Sequence, residues 1–333
     1  MVSMKDIALR CGVSVATVSK ALSGQSDISS ETRRRVEEAA REMGYMANAA
    51  ARALKTNRTH NLGVLIADEW RSGLGHEYFS AMLESFKAEA EAHGYDITFI
   101  NHNVGGYHSS YLQHCLYRGV DGVIVACVDF TNPQIRELVE SDLPLLTVDH
   151  VFEGCSAVVS DNVDGLEELV RYVYGKGHRK IAFLHGERIT VTHNRLTGFH
   201  RACEALGLEI PPEYIRECAY LDPDRCAQAT RELLALPERP TCIIYPDDFS
   251  YIGGLNALNE AGFRVPEDIS AVGYNGIRLA KVLRLTSYSQ NVEQLGKTAA
   301  RQLISLIEHP KTTPVDRILV PGSLLEGTSV KEI

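Results

Sequence analysis

The sequence predicts a small all-α head followed by an α/β body built from two parallel-sheet lobes. Three observations carry this reading. Residues 1–46 hold three short segments with apolar positions at helical spacing, punctuated by Gly12 and Gly44. From residue 60 onward, short runs rich in Val and Ile alternate with helical stretches, the pattern of parallel strands covered by helices on both faces. The charge is divided: residues 1–58 carry ten Lys or Arg against six Asp or Glu, and the remainder 24 against 37, within a net charge of −9. A chain of 333 residues, 44% of them apolar, is long enough for more than one core.

In the head, Ile7, Ala8 and Cys11 fall on one face of a helix beginning near Met4, and Gly12 is its stop signal. Ser14 offers an N-cap to a second helix, Val15 to Leu22, whose Val18 and Leu22 share a face. A third helix is predicted from Ser29 or Ser30 to Met43, with Val36, Ala39, Ala40 and Met43 as its inward stripe. Two tightly linked helices braced by a third form a helix-turn-helix, and the Ala-rich, basic residues that follow read as a hinge. The expected division is therefore a helix-turn-helix domain at 1–46, a hinge helix and linker at 47–58, and a body at 59–333. A basic head favours phosphate contact, whereas an acidic body is repelled by a polyanion.

In the body, residues 60–67, 95–101, 121–127 and 144–149 read as strands, with helices near 77–93, 107–118 and 132–141. A second series has strands at 156–160, 180–185, 241–245 and 269–274, with helices near 162–176, 193–207, 224–236 and 249–262. A helix at about 292–308 and a strand at 316–321 complete the chain. A ligand cleft in such sheets lies at the carboxyl ends of the strands.

Several classes are disfavoured. The longest apolar runs, such as Gly122 to Val128, are strand-sized and fall short of the about 20 residues a bilayer requires. No apolar segment marks a secretion signal at the start, so a cytoplasmic protein is expected. The eight cysteines include no C-x-x-C pair and lie in apolar patterns, as small core residues do in a reducing compartment. An α/β enzyme or a bare solute-binding protein is the alternative. Gly73 and Gly75 hint at a phosphate loop, but the third glycine is missing and no G-x-S-x-G signature appears. No catalytic residue, cofactor or metal is expected.

The runs Met4-Lys5-Asp6-Ile7-Ala8, Gly12 to Ser19, Ser29 to Arg35, Gly44-Tyr45 and Ala51 to Leu54 together resemble the lactose/galactose/purine repressor family of bacterial transcriptional regulators. The resemblance continues through Leu62-Gly63-Val64, Gly94-Tyr95-Asp96, Val120-Asp121-Gly122, Gly177-His178, Arg195 to Phe199 and Val265 to Ser270, and so spans nearly the whole chain. It implies a sequence-specific DNA-binding regulator, most simply a repressor of carbohydrate-use genes that a small effector releases. It also implies a homodimer whose two heads occupy successive half-sites of a pseudo-palindromic double-stranded operator. The body would be periplasmic-binding-protein-like and crossed three times by the chain. Its first lobe is expected at about 60–158 and 291–319, its second at about 159–290 and 320–333. Because the chain stops at Ile333 with no heptad tail, a dimer is expected rather than a tetramer.

In a helix-turn-helix, the N-terminal turn of the second helix meets base edges. The resemblance places Val15, Ala16 and Lys20 there. The first two can make only apolar contact, most naturally with thymine methyls, while Lys20 can donate to guanine O6 and N7. Ser14, Thr17, Ser19 and Arg33 are assigned to phosphates or caps, which position the head without reading sequence. The hinge, Asn48 to Lys55, is too short to be a stable helix alone. By resemblance Leu54 wedges into the minor groove and Lys55 touches its floor or phosphates. Ala47 stands where the family usually has proline.

For the effector, the resemblance points to Asp149 at the end of the fourth strand, Arg195 before Leu-x-Gly-Phe, and Gln290 at the last crossing. Asp161 and Asn162 lie near the first. Carboxylates with an arginine suit the neighbouring hydroxyls of a sugar or sugar derivative, and Trp70, Tyr78, Phe79 and Phe249 are the aromatic candidates for stacking on its ring. Two departures bear on specificity: Asn275 replaces the family's usual aspartate, and Asp247-Asp248 replaces its usual Asn-Asp.

Overall fold

The computed structural model describes residues 2–25, 27–46, 53, 58–67, 73–75 and 77–333. The chain forms two compact units, divided between Thr59 and His60.

The first unit holds α1 (Met4–Cys11), α2 (Val15–Leu22) and α3 (Ser30–Glu42). Ser3 and Asp6 close the start of α1, the Ser3 amide and hydroxyl donating to the Asp6 carboxylate at 2.8 and 2.7 Å. Gly12, at φ 63°, ends it in the left-handed conformation that only glycine adopts without strain. Ile7, Val18 and Val36, one from each helix, are fully buried and joined by Ala21, Ala39 and Ala40 in a single small core. Two arginines of α3 tie this core to the turns: Arg35 donates to the Cys11 carbonyl at 2.9 Å and Arg33 to the Gln25 carbonyl at 2.7 Å.

The second unit contains two six-stranded sheets and a small hairpin. The first sheet is made of β1 (Asn61–Ala67), β2 (Asp96–Phe99), β5 (Gly122–Val128), β6 (Leu145–Val148), β7 (Ser156–Ser160) and β13 (Arg317–Val320). Its order is β13-β7-β6-β5-β1-β2 and every pairing is parallel. The second is made of β8 (Ile181–His185), β9 (Ile215–Glu217), β10 (Cys242–Ile244), β11 (Ser270–Asn275), β12 (Thr286–Ser289) and β14 (Ser323–Leu325). Its order is β14-β12-β11-β10-β8-β9, with only β14 antiparallel.

Each sheet is covered on both faces. α4 (Glu77–Ala92) and α12 (Val292–Glu308) bury Met82, Phe86, Leu295 and Leu303 against one face of the first sheet. α5 (Tyr111–Arg118) and α6 (Pro133–Val139) bury Cys115, Ile135 and Leu138 against the other. In the second lobe, α7 (Asn162–Gly175) and α8 (Thr190–Leu206) cover one face, and α9 (Pro223–Leu234) and α10 (Tyr251–Glu260) the other. The all-buried strands Leu145–Val148, Ser156–Ser160 and Ile181–His185 follow from this double cover.

The chain crosses between the sheets after Ser160, Ser289 and Val320. Ser156–Ser160, grouped by the sequence pattern with the second series of strands, instead lies in the first sheet between β6 and β13. Residues 159–160 and 320 therefore fall on the first-lobe side of the crossings rather than the second. The helix expected from 107 starts at Tyr111, capped by Ser110 and Gln113. The residues before it form a hairpin, β3 (Asn103–Val104) and β4 (Tyr107–His108), turning through Gly105 and Gly106 at φ 58° and 92°. The short strands Ile215–Glu217, Thr286–Ser289 and Ser323–Leu325, together with α11 (Arg278–Leu283), were absent from the sequence pattern.

Candidate functional site

On the head, the start of α2 stands free of the core. Ser14 caps it, its hydroxyl accepting from the Thr17 amide at 3.0 Å and lying 2.9 Å from the Thr17 hydroxyl. Val15 is 41% exposed, and Ala16 is exposed beside it, while Val18 takes the inward place. Lys20 lies on the same helix and pairs with Asp27 in the turn before α3, holding the Asp27 carboxyl below the usual carboxylate range. Ser19 is half-buried, and its carbonyl accepts from the Ser23 hydroxyl at 2.7 Å. Arg33, with its bond to Gln25, braces the turn rather than standing as a free solvated charge. Asn48, Leu54 and Lys55 lie outside the described residues, as does Trp70 in the body.

In the body, the crossings and strand ends converge on Arg195. The guanidinium is 4% exposed and is held by neutral acceptors, Nε donating to Asn162 Oδ1 and Nη1 to the Pro246 carbonyl, both at 2.8 Å. Its Cζ lies over Tyr274, 3.7 Å from the ring centroid, and 5.4 Å from that of Tyr220. Close approach of α8 to α7 fixes this position: a Cβ at Gly198 would stand 2.1 Å from the Val163 carbonyl oxygen. Asn162, 2% exposed, knots two crossings, since its Oδ1 also accepts from Gln290 Nε2 at 3.4 Å and its Nδ2 donates to the Ser160 carbonyl at 3.3 Å.

Asp149 sits at φ 57° after β6, accepting from the Ser160 amide at 2.7 Å and the Tyr78 hydroxyl at 3.0 Å. Burial raises its carboxyl above the usual range. Asn275 ends β11 at φ 99°, a conformation asparagine tolerates better than most residues, and its carbonyl accepts from the Gln290 amide at 3.3 Å. Among the described residues, hydrogen bonds from the Arg278 amide to Glu77 at 2.8 Å and between Thr190 and His150 at 3.3 Å join the two lobes.

Other predicted residues have different duties. Asp247 is 1% exposed and has both oxygens engaged, by the Leu221 amide at 3.0 Å and the amide and hydroxyl of Ser250 at 2.7 and 2.8 Å. It braces the loop before α9 instead of facing the cleft as a free acceptor. Tyr78 is buried and spends its hydroxyl on Asp149 and Ser160, so its ring is no open stacking platform. Phe79 packs against the core of the first lobe. Phe249 remains 42% exposed.

Residues 3–48 match the model of the bacterial regulatory proteins of the lacI family, and residues 170–330 that of the periplasmic binding protein-like domain. The HTH-type transcriptional repressor PurR of Escherichia coli O139:H28 is 31% identical over 341 residues, covering 100% of this chain and 98% of that protein. The chain belongs to the lacI family.

Among solved structures, the Lac repressor dimer bound to operator and the anti-inducer ONPF is similar with TM-score 0.77 and 25% identity, covering 99% of both chains. A complex of the transcriptional regulator CelR with cellobiose shares the fold at TM-score 0.69 and 24% identity, over 99% of this chain and 100% of that one. As a lacI-family protein, the chain is a ligand-responsive, DNA-binding transcriptional regulator, and its family is one of regulators rather than enzymes. Among the described residues no helix is long and apolar enough to cross a membrane.

Two aromatic residues beside Arg195 escaped the sequence reading. Tyr220 and Tyr274 flank Arg195, and Tyr220 donates to or accepts from Thr192 at 2.8 Å through its hydroxyl. Tyr274 had a signal, because it lies one residue before the strand end that carries Asn275. Tyr220 follows a three-residue edge strand that left no pattern to place it.

Proposed function

We propose that the chain is a homodimeric, cytoplasmic repressor of carbohydrate-use genes. In this reading residues 59–333 bind a sugar or sugar derivative between their lobes, and the ligand-bound body releases a pseudo-palindromic operator. Each head, residues 1–46, reads one half-site in the major groove through Val15, Ala16 and Lys20, with Ser14, Thr17, Ser19 and Arg33 along the backbone. Residues 47–58 complete recognition in the minor groove, Leu54 entering the central step beside Asn48 and Lys55.

The observation that supports the ligand reading is the state of Arg195. A buried guanidinium held by an asparagine, a carbonyl and an aromatic face, with no ion pair to a carboxylate among the described residues, keeps donor capacity for a guest. Asn275 supplies a group that both donates and accepts, as neighbouring hydroxyls require, and Asp149, with both oxygens engaged by Ser160 and Tyr78, holds the adjoining strand ends in place.

A thermal-shift screen of the full chain against neutral sugars, sugar acids, sugar phosphates and nucleobases tests this. An effector at 100 times its dissociation constant stabilises the body by about 2.7 kcal/mol. A neutral sugar that shifts the melt and frees operator in a gel-shift assay supports the proposal. A shift with nucleobases alone replaces the effector class, and a ligand that tightens operator binding reverses the sense of control.

A further inference from the structure

Glu187 belongs to none of the assignments made so far. It follows β8 and Gly186 on the loop to α8, at the carboxyl end of the second sheet, where the cleft of such folds opens. Its Oε2 accepts from the Tyr220 amide at 3.3 Å, whereas Oε1 is buried with no hydrogen-bond partner among the described residues. Tyr220 lies directly against this loop, since a Cβ on Gly186 would come within 2.2 Å of its ring. The same ring stands 5.4 Å from the Arg195 guanidinium. The neighbouring cation is turned elsewhere: Arg188, mostly exposed, donates to Glu217 at 3.1 Å. A buried acceptor without a donor is rare in native proteins unless water, an ion or a ligand supplies one. A carboxylate oxygen beside the Tyr220 and Arg195 pair has a ready reason to be left open.

We infer that Glu187 is a ligand-specificity residue whose free oxygen accepts a hydrogen bond from a hydroxyl or amino group of the effector, on the Tyr220 side of the cleft. This deepens the proposal of a ligand-binding body and rests on it. A carboxylate or phosphate at that position would set two anions together in a desolvated site. The class that fits is a polyhydroxylated or amino-substituted ring, with Arg195 donating to its oxygens.

The test uses the full chain as wild type, Glu187→Gln and Glu187→Ala. Without ligand, Glu187→Gln should melt at or above the wild-type temperature, because its carbonyl oxygen keeps an acceptor for the Tyr220 amide and the fold draws nothing from Oε1, whereas Glu187→Ala also removes that acceptor and should melt slightly lower. A clear fall in Glu187→Gln would show that Oε1 braces the structure and would overturn its role. Calorimetric titration with D-glucose, D-glucosamine, cellobiose, D-gluconate and glucose 6-phosphate then probes the site. The expected result is that a neutral or amino sugar binds the wild type, that Glu187→Gln weakens it at least tenfold, and that the two anions bind no more tightly than it does. Equal affinity in wild type and variants refutes the contact. Binding of none of the five counts against the sugar reading of the body and the class assigned here. A ligand-free fall in Glu187→Gln condemns the role of Glu187 with the sugar reading intact.

Discussion

Replacing Asn162 by alanine should destabilise the body and loosen its cleft together. The side chain is 2% exposed, and its oxygen receives the buried Arg195 Nε at 2.8 Å and Gln290 Nε2 at 3.4 Å. A hydrogen bond to a charged group contributes about 1.5–3 kcal/mol, and a buried donor left unpaired costs about 1–3 kcal/mol. The two figures overlap in what they count, so the loss expected for Asn162→Ala is about 3 kcal/mol. In a domain of this size that lowers the melting temperature by roughly 5–10 °C. Calorimetry of the full chain reads the body transition. Arg195→Met supplies the partner for a double-mutant cycle, because removing the charge removes the group that Asn162 leaves stranded. The double variant should therefore be less damaged than the sum of the two singles. A loss below about 0.5 kcal/mol for Asn162→Ala, or strict additivity, would refute the account of Arg195 as a cation held by Asn162.

The remaining predictions concern the head and one buried acid. Ile7→Ala, at a fully buried position shared by all three head helices, should cost about 2–5 kcal/mol; gel-shift titration should show operator affinity lost while the body melt stays in place. Lys20→Ala should cost about 1–3 kcal/mol at one base pair of each half-site; equal losses on every single-base operator variant would reduce Lys20 to a phosphate contact. Burial raises the Asp248 carboxyl to about 7, against the hydrogen bonds from Ser287 and Ile277 that favour its charged form. Its folded pKa lies above its unfolded value, so its contribution to stability is complete at acid pH and is lost as pH rises through about 7. Urea midpoints taken from pH 5 to 8 should fall with this slope in the wild type and flatten in Asp248→Asn.

The layered body was legible because strands buried on both faces are continuous apolar runs, as in Gly122–Val128 and Ile181–His185. Thr286–Ser289 escaped for the opposite reason. It is a buried strand made largely of hydroxyl residues, and Ser287 is tolerable inside because its hydroxyl donates to Asp248, far away in sequence, at 2.6 Å and accepts from the Gly276 amide at 3.1 Å. The turn at Gly105–Gly106 and the Ser110–Gln113 cap are local signals that delay the start of α5 to Tyr111. In the cleft, the family pattern pointed to Arg195 and Asp149 by their neighbours along the chain. It did not show that both oxygens of Asp247 would be consumed by Leu221 and Ser250, because that depends on how two loops meet.

The three crossings also set an order in time. Arg317–Val320 completes the first sheet, and Ser323–Leu325 completes the second. Neither lobe can close until residues 317–325 have been made, although each begins far upstream. The head is contiguous in residues 1–59 and needs nothing from the body to bury Ile7, Val18 and Val36. At about 5–20 residues per second, it leaves the ribosome roughly 13–53 s before both sheets are whole. Every newly made molecule thus finishes the core of its head before it finishes the part that answers to a ligand.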